Sequence, residues 1–175
     1  MSPRRDDAWH TGNDPAHRWR ITLAAAGPVA TTTERESMQP DAILVDIDGT
    51  VALRGNRSPY DESKVSGDRP NAPVIAAVRA MHAAGHLVVF CSGRTERCRD
   101  DTQKWLADHV AVPYEALLMR TVGDARKDAI VKRELFERHI RNHYRVVAVF
   151  DDRNQVVAMW RRLGLVVFQV ADGDF

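Results

Sequence analysis

From Asp41 onward, short apolar runs alternate with stretches whose apolar residues recur every three or four positions, and no other feature limits the fold so strongly. Parallel strands can be joined only through a crossover, so this alternation implies helices packed on both faces of a parallel sheet. Residues 42–45, 87–91, 116–119, 146–150 and 165–170 read as the strands. Asn71 and Pro73 start the first helix, which sets Val74, Ile75, Val78 and Met81 on one face, and Gly85 ends it. Thr95 is placed to cap a helix running to about His109, and Asp124 to cap one running to about Ile140. The last helix carries Val156, Val157, Trp160 and Leu163 on one stripe and stops at Gly164. The expected architecture is α/β, a doubly wound parallel sheet of about five strands.

Residues 1–38 differ from this pattern. Pro3, Gly12, Pro15, Gly27, Pro28 and three consecutive threonines interrupt any period, and the segment reads as a disordered tail before a single domain at 39–175. Met38, just ahead of the first strand, offers a second reading in which translation begins there. A chain of 175 residues suits one core. With 25 Lys and Arg against 24 Asp and Glu, the net charge of +1 argues against a generally basic nucleic-acid coat, so any basic patch is local. No apolar stretch approaches the ~18 residues of a spanning helix, and no membrane anchor is expected. Cys91 and Cys98 match neither a zinc site nor a redox pair, which fits a reducing compartment.

In a doubly wound sheet, ligands bind beyond the carboxyl ends of the strands. Three strands run straight into polar clusters there: Asp46-Ile47-Asp48-Gly49-Thr50, Ser92-Gly93-Arg94 and Asp151-Asp152-Arg153. Gly49 permits the tight turn that aims Asp48 back at the site. Taken singly, each acid could be an Asx turn or a helix cap. Their convergence on one edge favours a binding site. Lys127, in the first turn of its helix, opposes the helix dipole, which favours function over a purely structural purpose. Cys91 ends a buried strand and reads as core, as do Trp105 and Trp160 on helical stripes; the histidines show no metal spacing.

Asp46-Ile47-Asp48-Gly49-Thr50, Ser92, Lys127 and Asp151-Asp152 fall in the order and on the elements of the haloacid dehalogenase superfamily, which they resemble. More narrowly, Arg57-Ser58-Pro59-Tyr60-Asp61, Asp124-Ala125-Arg126-Lys127-Asp128 and the closing segment from Asp151, ending in Gly-Asp-Phe, resemble the 3′-phosphatase half of bacteriophage-type polynucleotide kinase-phosphatase. The resemblance implies Asp46 as nucleophile and Asp48 as general acid and base. It implies Mg²⁺ held by Asp46, the Asp48 carbonyl and the pair Asp151 and Asp152, of which Asp151, nearer the strand end, is favoured for direct coordination, with Asp152 adjacent or through water. Ser92 and the Gly93 amide would donate to phosphate oxygens and Lys127 would add a positive charge. Asp124 would orient, and Arg57 and Arg94 would contact phosphate or substrate, the alternative for Arg94 being an ion pair with Glu96 or another surface acid.

The function this implies is a Mg²⁺-dependent phosphomonoesterase that removes 3′-phosphates from DNA or RNA ends through an aspartyl-phosphate. A small-molecule phosphatase such as a nucleotidase is one alternative. A catalytically silent end-binding protein is another, against which Asp46, Asp48 and Lys127 speak. Superfamily members that enclose small substrates insert a cap domain after the first motif or between the second and third. Neither Thr50 to Asn71 nor Ser92 to Lys127 leaves room for a full cap, so the site is expected to lie open to a polymer end. No glycine precedes any of the four lysines as a phosphate loop requires, and a kinase or ligase partner would be a separate polypeptide. A homodimer and a bacterial or phage-infected cytoplasm also fit the resemblance.

Overall fold

The structure is a computed structural model that describes residues 39–58 and 61–173. The expectations for residues 1–38, for Pro59 and Tyr60, and for the closing Asp174 and Phe175 lie outside the described residues.

In chain order the elements are β1 (Asp41–Val45), β2 (Ala52–Leu53), a 3₁₀ turn (Glu62–Gly67), β3 (Arg69–Pro70), α1 (Ala72–Ala83), β4 (Leu87–Thr95), a second 3₁₀ turn (Glu96–Cys98), α2 (Arg99–His109), β5 (Ala116–Arg120), α3 (Asp128–His139), β6 (Arg145–Arg153), α4 (Asn154–Arg162) and β7 (Val167–Gly173). Five strands form one parallel sheet in the order β5-β4-β1-β6-β7. Because successive residues of a strand point to opposite faces, β1 sends Ile43 and Val45 into one core and Leu44 into the other. The first core is covered by α1 and α2 through Ile75, Val78, Trp105 and Leu106. The second is covered by α3 and α4 through Phe136, Val156 and Trp160. No helix among the described residues is long and apolar enough to cross a membrane.

The chain winds outward from β1 through β4 to β5, then returns to β6 on the other side of β1. Their carboxyl ends therefore flank the switch point, where diverging connections leave a crevice. β1 delivers Asp46 to it and β6 delivers Asp151 and Asp152.

Several boundaries differ from expectation: β7 runs over Val167–Gly173 and not 165–170, and two other strands extend for one local reason. β4 runs on to Thr95 and β6 to Arg153, because pairing resumes after an irregularity at Thr95↔Arg120 and Arg153↔Gly173. The polar clusters thus belong to the strands' last turns of ladder rather than to free loops. α3 begins at Asp128, four residues after the acid expected to cap it. Asp124 instead accepts the Arg126 N–H at 3.0 Å and the Arg126 guanidinium at 2.6 Å, closing a turn before the helix.

The segment between β1 and α1 holds the remaining two strands, which pair antiparallel over two residues each. Gly49, at φ +82°, makes the turn that enters it. Asn71 ties its far end back, donating from Nδ2 to the Thr50 carbonyl at 2.8 Å. The excursion folds against the end of the sheet, and among the described residues it forms no separate cap.

Candidate active site

Asp46 ends the central strand, where its N–H donates to the Phe150 carbonyl of β6 at 2.9 Å. Its carboxylate is 6% exposed at residue level and receives Lys132 Nζ on Oδ1 at 2.7 Å and the Thr50 hydroxyl on Oδ2 at 3.3 Å. Lys132 is itself buried and also donates to Asp151 Oδ2 at 3.0 Å, with Asp128 Oδ2 at 3.6 Å. One ammonium therefore sits among three carboxylates. Burial opposes its charge, but Asp151, Asp46 and Asp128 outweigh burial and hold Lys132 well above the usual lysine range. Burial pushes the Asp46 carboxyl well above its usual range; Lys132 pulls it down, and Asp151 and Asp152 push it up further.

Asp46, Asp151 and Asp152 each offer a carboxylate oxygen within 4.8 Å of the others. Both oxygens of Asp151 are already occupied, Oδ2 by Lys132 and Trp160 Nε1 at 3.2 Å and Oδ1 by the Arg153 N–H at 3.1 Å. Asp152 lies against Gly49, where a Cβ would collide with its carboxylate. Burial, then the neighbouring Asp151, raise Asp152 to about 6. Excess buried negative charge with oxygen donors alone is what a hard divalent cation neutralises. The residues present therefore fit a metal, and the more open carboxylate is Asp152, where the sequence expectation favoured Asp151 for direct coordination.

Asp48 sits across the turn from Asp46. Its Oδ1 accepts Arg57 Nη2 at 2.7 Å and Arg94 Nη2 at 2.9 Å, and its Oδ2 accepts Arg94 Nε at 3.1 Å. Burial works the other way, yet these bonds, led by Arg94, hold the Asp48 carboxyl below its usual range. Arg57 and Arg94 also bond Asp68, so neither is an idle phosphate ligand, and Glu96 pairs with Arg99 instead. Both arginines, expected to contact phosphate or substrate, are here bonded to Asp48. Ser92 is buried at the end of β4, where its Oγ accepts the Arg94 N–H at 3.2 Å and retains its own proton as a donor. At Gly93 a Cβ would stand 2.6 Å from Asp128 Oδ1, so a side chain there would have to displace that carboxylate.

Lys127, expected to add a positive charge to the site, lines the site's cleft but makes no ion pair among the described residues. It is the exposed residue preceding α3, whereas Lys132, one turn into that helix, makes the contact with Asp46. A signal for Lys132 does exist in the sequence. Asp128, Val131, Lys132 and Phe136 fall on one helical stripe, and all four are buried. Charged residues on an apolar stripe mark a functional face. Asp124, expected to orient, serves the loop through Arg126, and Asp128 takes its place beside Lys132. Arg120 staples that loop, donating to the carbonyls of Gly93, Asp124 and Arg126 and to Asp128 Oδ1 at 2.9 Å. Cys91 is buried and its thiol is pushed up, first by burial, which leaves it a core residue.

These groups open into a cleft of about 660 Å³ at the sheet's carboxyl edge. Asp46, Asp48 and Asp152 line it together with Arg54, Arg97, Arg126, Lys127 and Arg153.

A crevice at the switch point, an acidic pair after the first strand and a buried lysine bridging to a second acidic pair define a phosphatase of the haloacid dehalogenase fold. The chain belongs to the family described as the polynucleotide kinase PNKP phosphatase domain, which matches residues 40–175. It is 41% identical over 134 residues to a putative bifunctional polynucleotide kinase/RNA ligase of Autographa californica nuclear polyhedrosis virus, covering 75% of this chain and 19% of the viral protein. Among solved structures it resembles a chain of the Pnkp1/Rnl/Hen1 complex at 43% identity and a TM-score of 0.76, covering 79% of this chain and 48% of that one. The class C acid phosphatase of Bacillus anthracis shares the fold, at 18% identity and a TM-score of 0.52 over 77% of this chain and 70% of that one. This chain spans about a fifth of the length of the viral relative and about half that of the matched chain in the Pnkp1/Rnl/Hen1 complex.

Proposed function

We propose that this chain hydrolyses the 3′-phosphate of a nucleic-acid end, leaving a 3′-hydroxyl. The single observation that carries this reading is the cleft itself: Asp46 and Asp48 line it, no cap among the described residues closes it, and cationic side chains line it too. A strand end can enter such a cleft and remain attached to its polymer. The family membership supports the same substrate class.

In this reading Asp46 attacks phosphorus and carries the phosphoryl group as an aspartyl-phosphate, splitting a difficult displacement into two steps. Lys132 holds the Asp46 carboxylate in place and balances its charge, while Ser92 Oγ and the Gly93 amide supply donors for the phosphate oxygens. Asp48 gives its proton to the departing sugar oxygen and later takes one from the attacking water. Against the effect of burial, Arg94 and Arg57 hold the Asp48 carboxyl below its usual range in the resting site; an incoming phosphate dianion brings negative charge beside it and favours uptake of the proton. Mg²⁺, held by Asp46, Asp152 and Asp151, would neutralise the approach of a carboxylate to a phosphate dianion. A kinase or ligase acting on the same ends would come from another polypeptide or another part of a longer one.

The test is phosphate release from 3′-phosphorylated oligonucleotides, 5′-phosphorylated oligonucleotides and free nucleoside monophosphates. The first should be turned over with the highest kcat/KM. Equal or better turnover of the free nucleotides would point to a small-molecule phosphatase instead.

A further inference from the structure

Asp68 lies in none of the motif clusters, yet it is among the more completely buried acids, at 4% exposure. It reaches the site from the segment between β1 and α1, just before β3. Its Oδ1 accepts Arg57 Nε at 2.6 Å, and its Oδ2 accepts Arg57 Nη2 at 2.5 Å and Arg94 Nη2 at 2.7 Å. Those two Nη2 atoms are the same ones that bond Asp48 Oδ1. The backbone of Asp68 is held on both sides, its carbonyl by Trp105 Nε1 at 2.8 Å and its N–H by the Val65 carbonyl at 3.2 Å. Thr102 Oγ1 anchors the far nitrogen of Arg94 at 3.1 Å.

Two guanidiniums packed against one carboxylate would repel each other. A second buried carboxylate balances the group at two charges of each sign and sets the angle of both forks. We infer that Asp68 is a positioning residue for Asp48: through Arg57 and Arg94 it fixes the orientation in which Asp48 meets the leaving oxygen. The inference rests on the proposed role of Asp48 as proton donor.

In the first step an Asp46 oxygen bonds to phosphorus. The bond from phosphorus to the sugar oxygen breaks, its electron pair stays on that oxygen, and the Asp48 proton joins it. In the second, a water oxygen bonds to phosphorus, the bond to Asp46 breaks, and the water's proton passes to Asp48. An alkoxide needs the first proton, whereas a nitrophenolate leaves without it. A misaimed Asp48 thus penalises alkyl phosphates selectively in kcat/KM, which reports only the events up to departure of the leaving group.

Wild type, Asp68→Asn, Asp68→Glu and Asp48→Asn are compared on a 3′-phosphorylated oligonucleotide and on p-nitrophenyl phosphate. Asp68→Asn should lower kcat/KM for the oligonucleotide on the order of 10²-fold and for the aryl phosphate by less than about tenfold. The aryl reaction should then show a burst of nitrophenolate followed by slow turnover. Asp68→Glu, which keeps the charge, should recover part of the selective loss. Equal losses on both substrates, or none on either, would overturn the inference by making Asp68 structural or idle. If Asp68→Asn does not fold, Asp68→Glu decides by the same ratio, a selective loss supporting the inference and an equal one overturning it. Asp48→Asn separates the two levels: equal loss there refutes Asp48 as proton donor and the inference with it, while a selective loss there but not at Asp68 refutes the inference alone.

Discussion

Lys132 Nζ stands 2.7 Å from Asp46 Oδ1, a bond between residues 86 positions apart that joins the middle of one helix to the end of the central strand. Its burial makes it the main local counter-charge to the acidic cluster. Replacing Lys132 by Met should leave Asp46, Asp151 and Asp128 without it and destabilise the fold by about 3 to 5 kcal/mol, the range for breaking a buried charge pair. Turnover should fall on the order of 10²-fold or more. Lys127→Met, at an exposed position, should change stability by less than about 0.5 kcal/mol. Denaturant melts of the two variants check the contrast, which disappears if both behave alike.

The acidic cluster predicts a metal-linked gain in stability. Mg²⁺ at about a hundred times its dissociation constant should add about 2.7 kcal/mol and raise the melting temperature, and excess chelator should remove both the gain and the activity. Asp152→Asn should abolish the shift. A melting temperature indifferent to Mg²⁺ in the wild-type protein would argue that the three carboxylates hold no metal.

Two glycines are constrained by neighbouring carboxylates. At Gly49 a side chain would meet Asp152 while the backbone sits at φ +82°, and at Gly93 it would meet Asp128 Oδ1 at 2.6 Å. Gly49→Ala should therefore displace a proposed metal ligand and lose Mg²⁺ affinity. Gly93→Ala should disturb Asp128 and lose turnover with Mg²⁺ affinity better preserved. Calorimetric titration with Mg²⁺ distinguishes them; identical affinity losses would show that the two contacts are not separable.

The cleft's cations are unequal. Arg120 and Arg126 are engaged by acids and carbonyls, whereas Arg97 and Lys127 line the cleft with no ion pair among the described residues. If they hold backbone phosphates, Arg97→Ala and Lys127→Ala should each flatten the slope of log kcat/KM against log salt by about 0.7 for a single-stranded 3′-phosphorylated oligonucleotide. The loss should be smaller on the nucleoside 3′-monophosphate. Unchanged slopes would assign the strand to other side chains.

Much of the fold was legible because it follows from period. The alternation of apolar runs with helical stripes identified all five strands of the sheet, and Asp46, Asp48, Ser92, Asp151 and Asp152 announced themselves by standing where strands end. What sequence by itself determined is thus which acids reach the carboxyl edge. Which cation meets them depended on tertiary packing: a helical stripe hinted at Lys132, but only the docking of α3 against the sheet brings that lysine to Asp46 and leaves Lys127 exposed ahead of the helix. Arg57, Arg94 and Asp68 make the same point more strongly. Their pairing with Asp48 depends on how an irregular segment folds back over the sheet, with no period to betray it, and the short β2–β3 ladder holding that segment depends on tertiary closure for its stability.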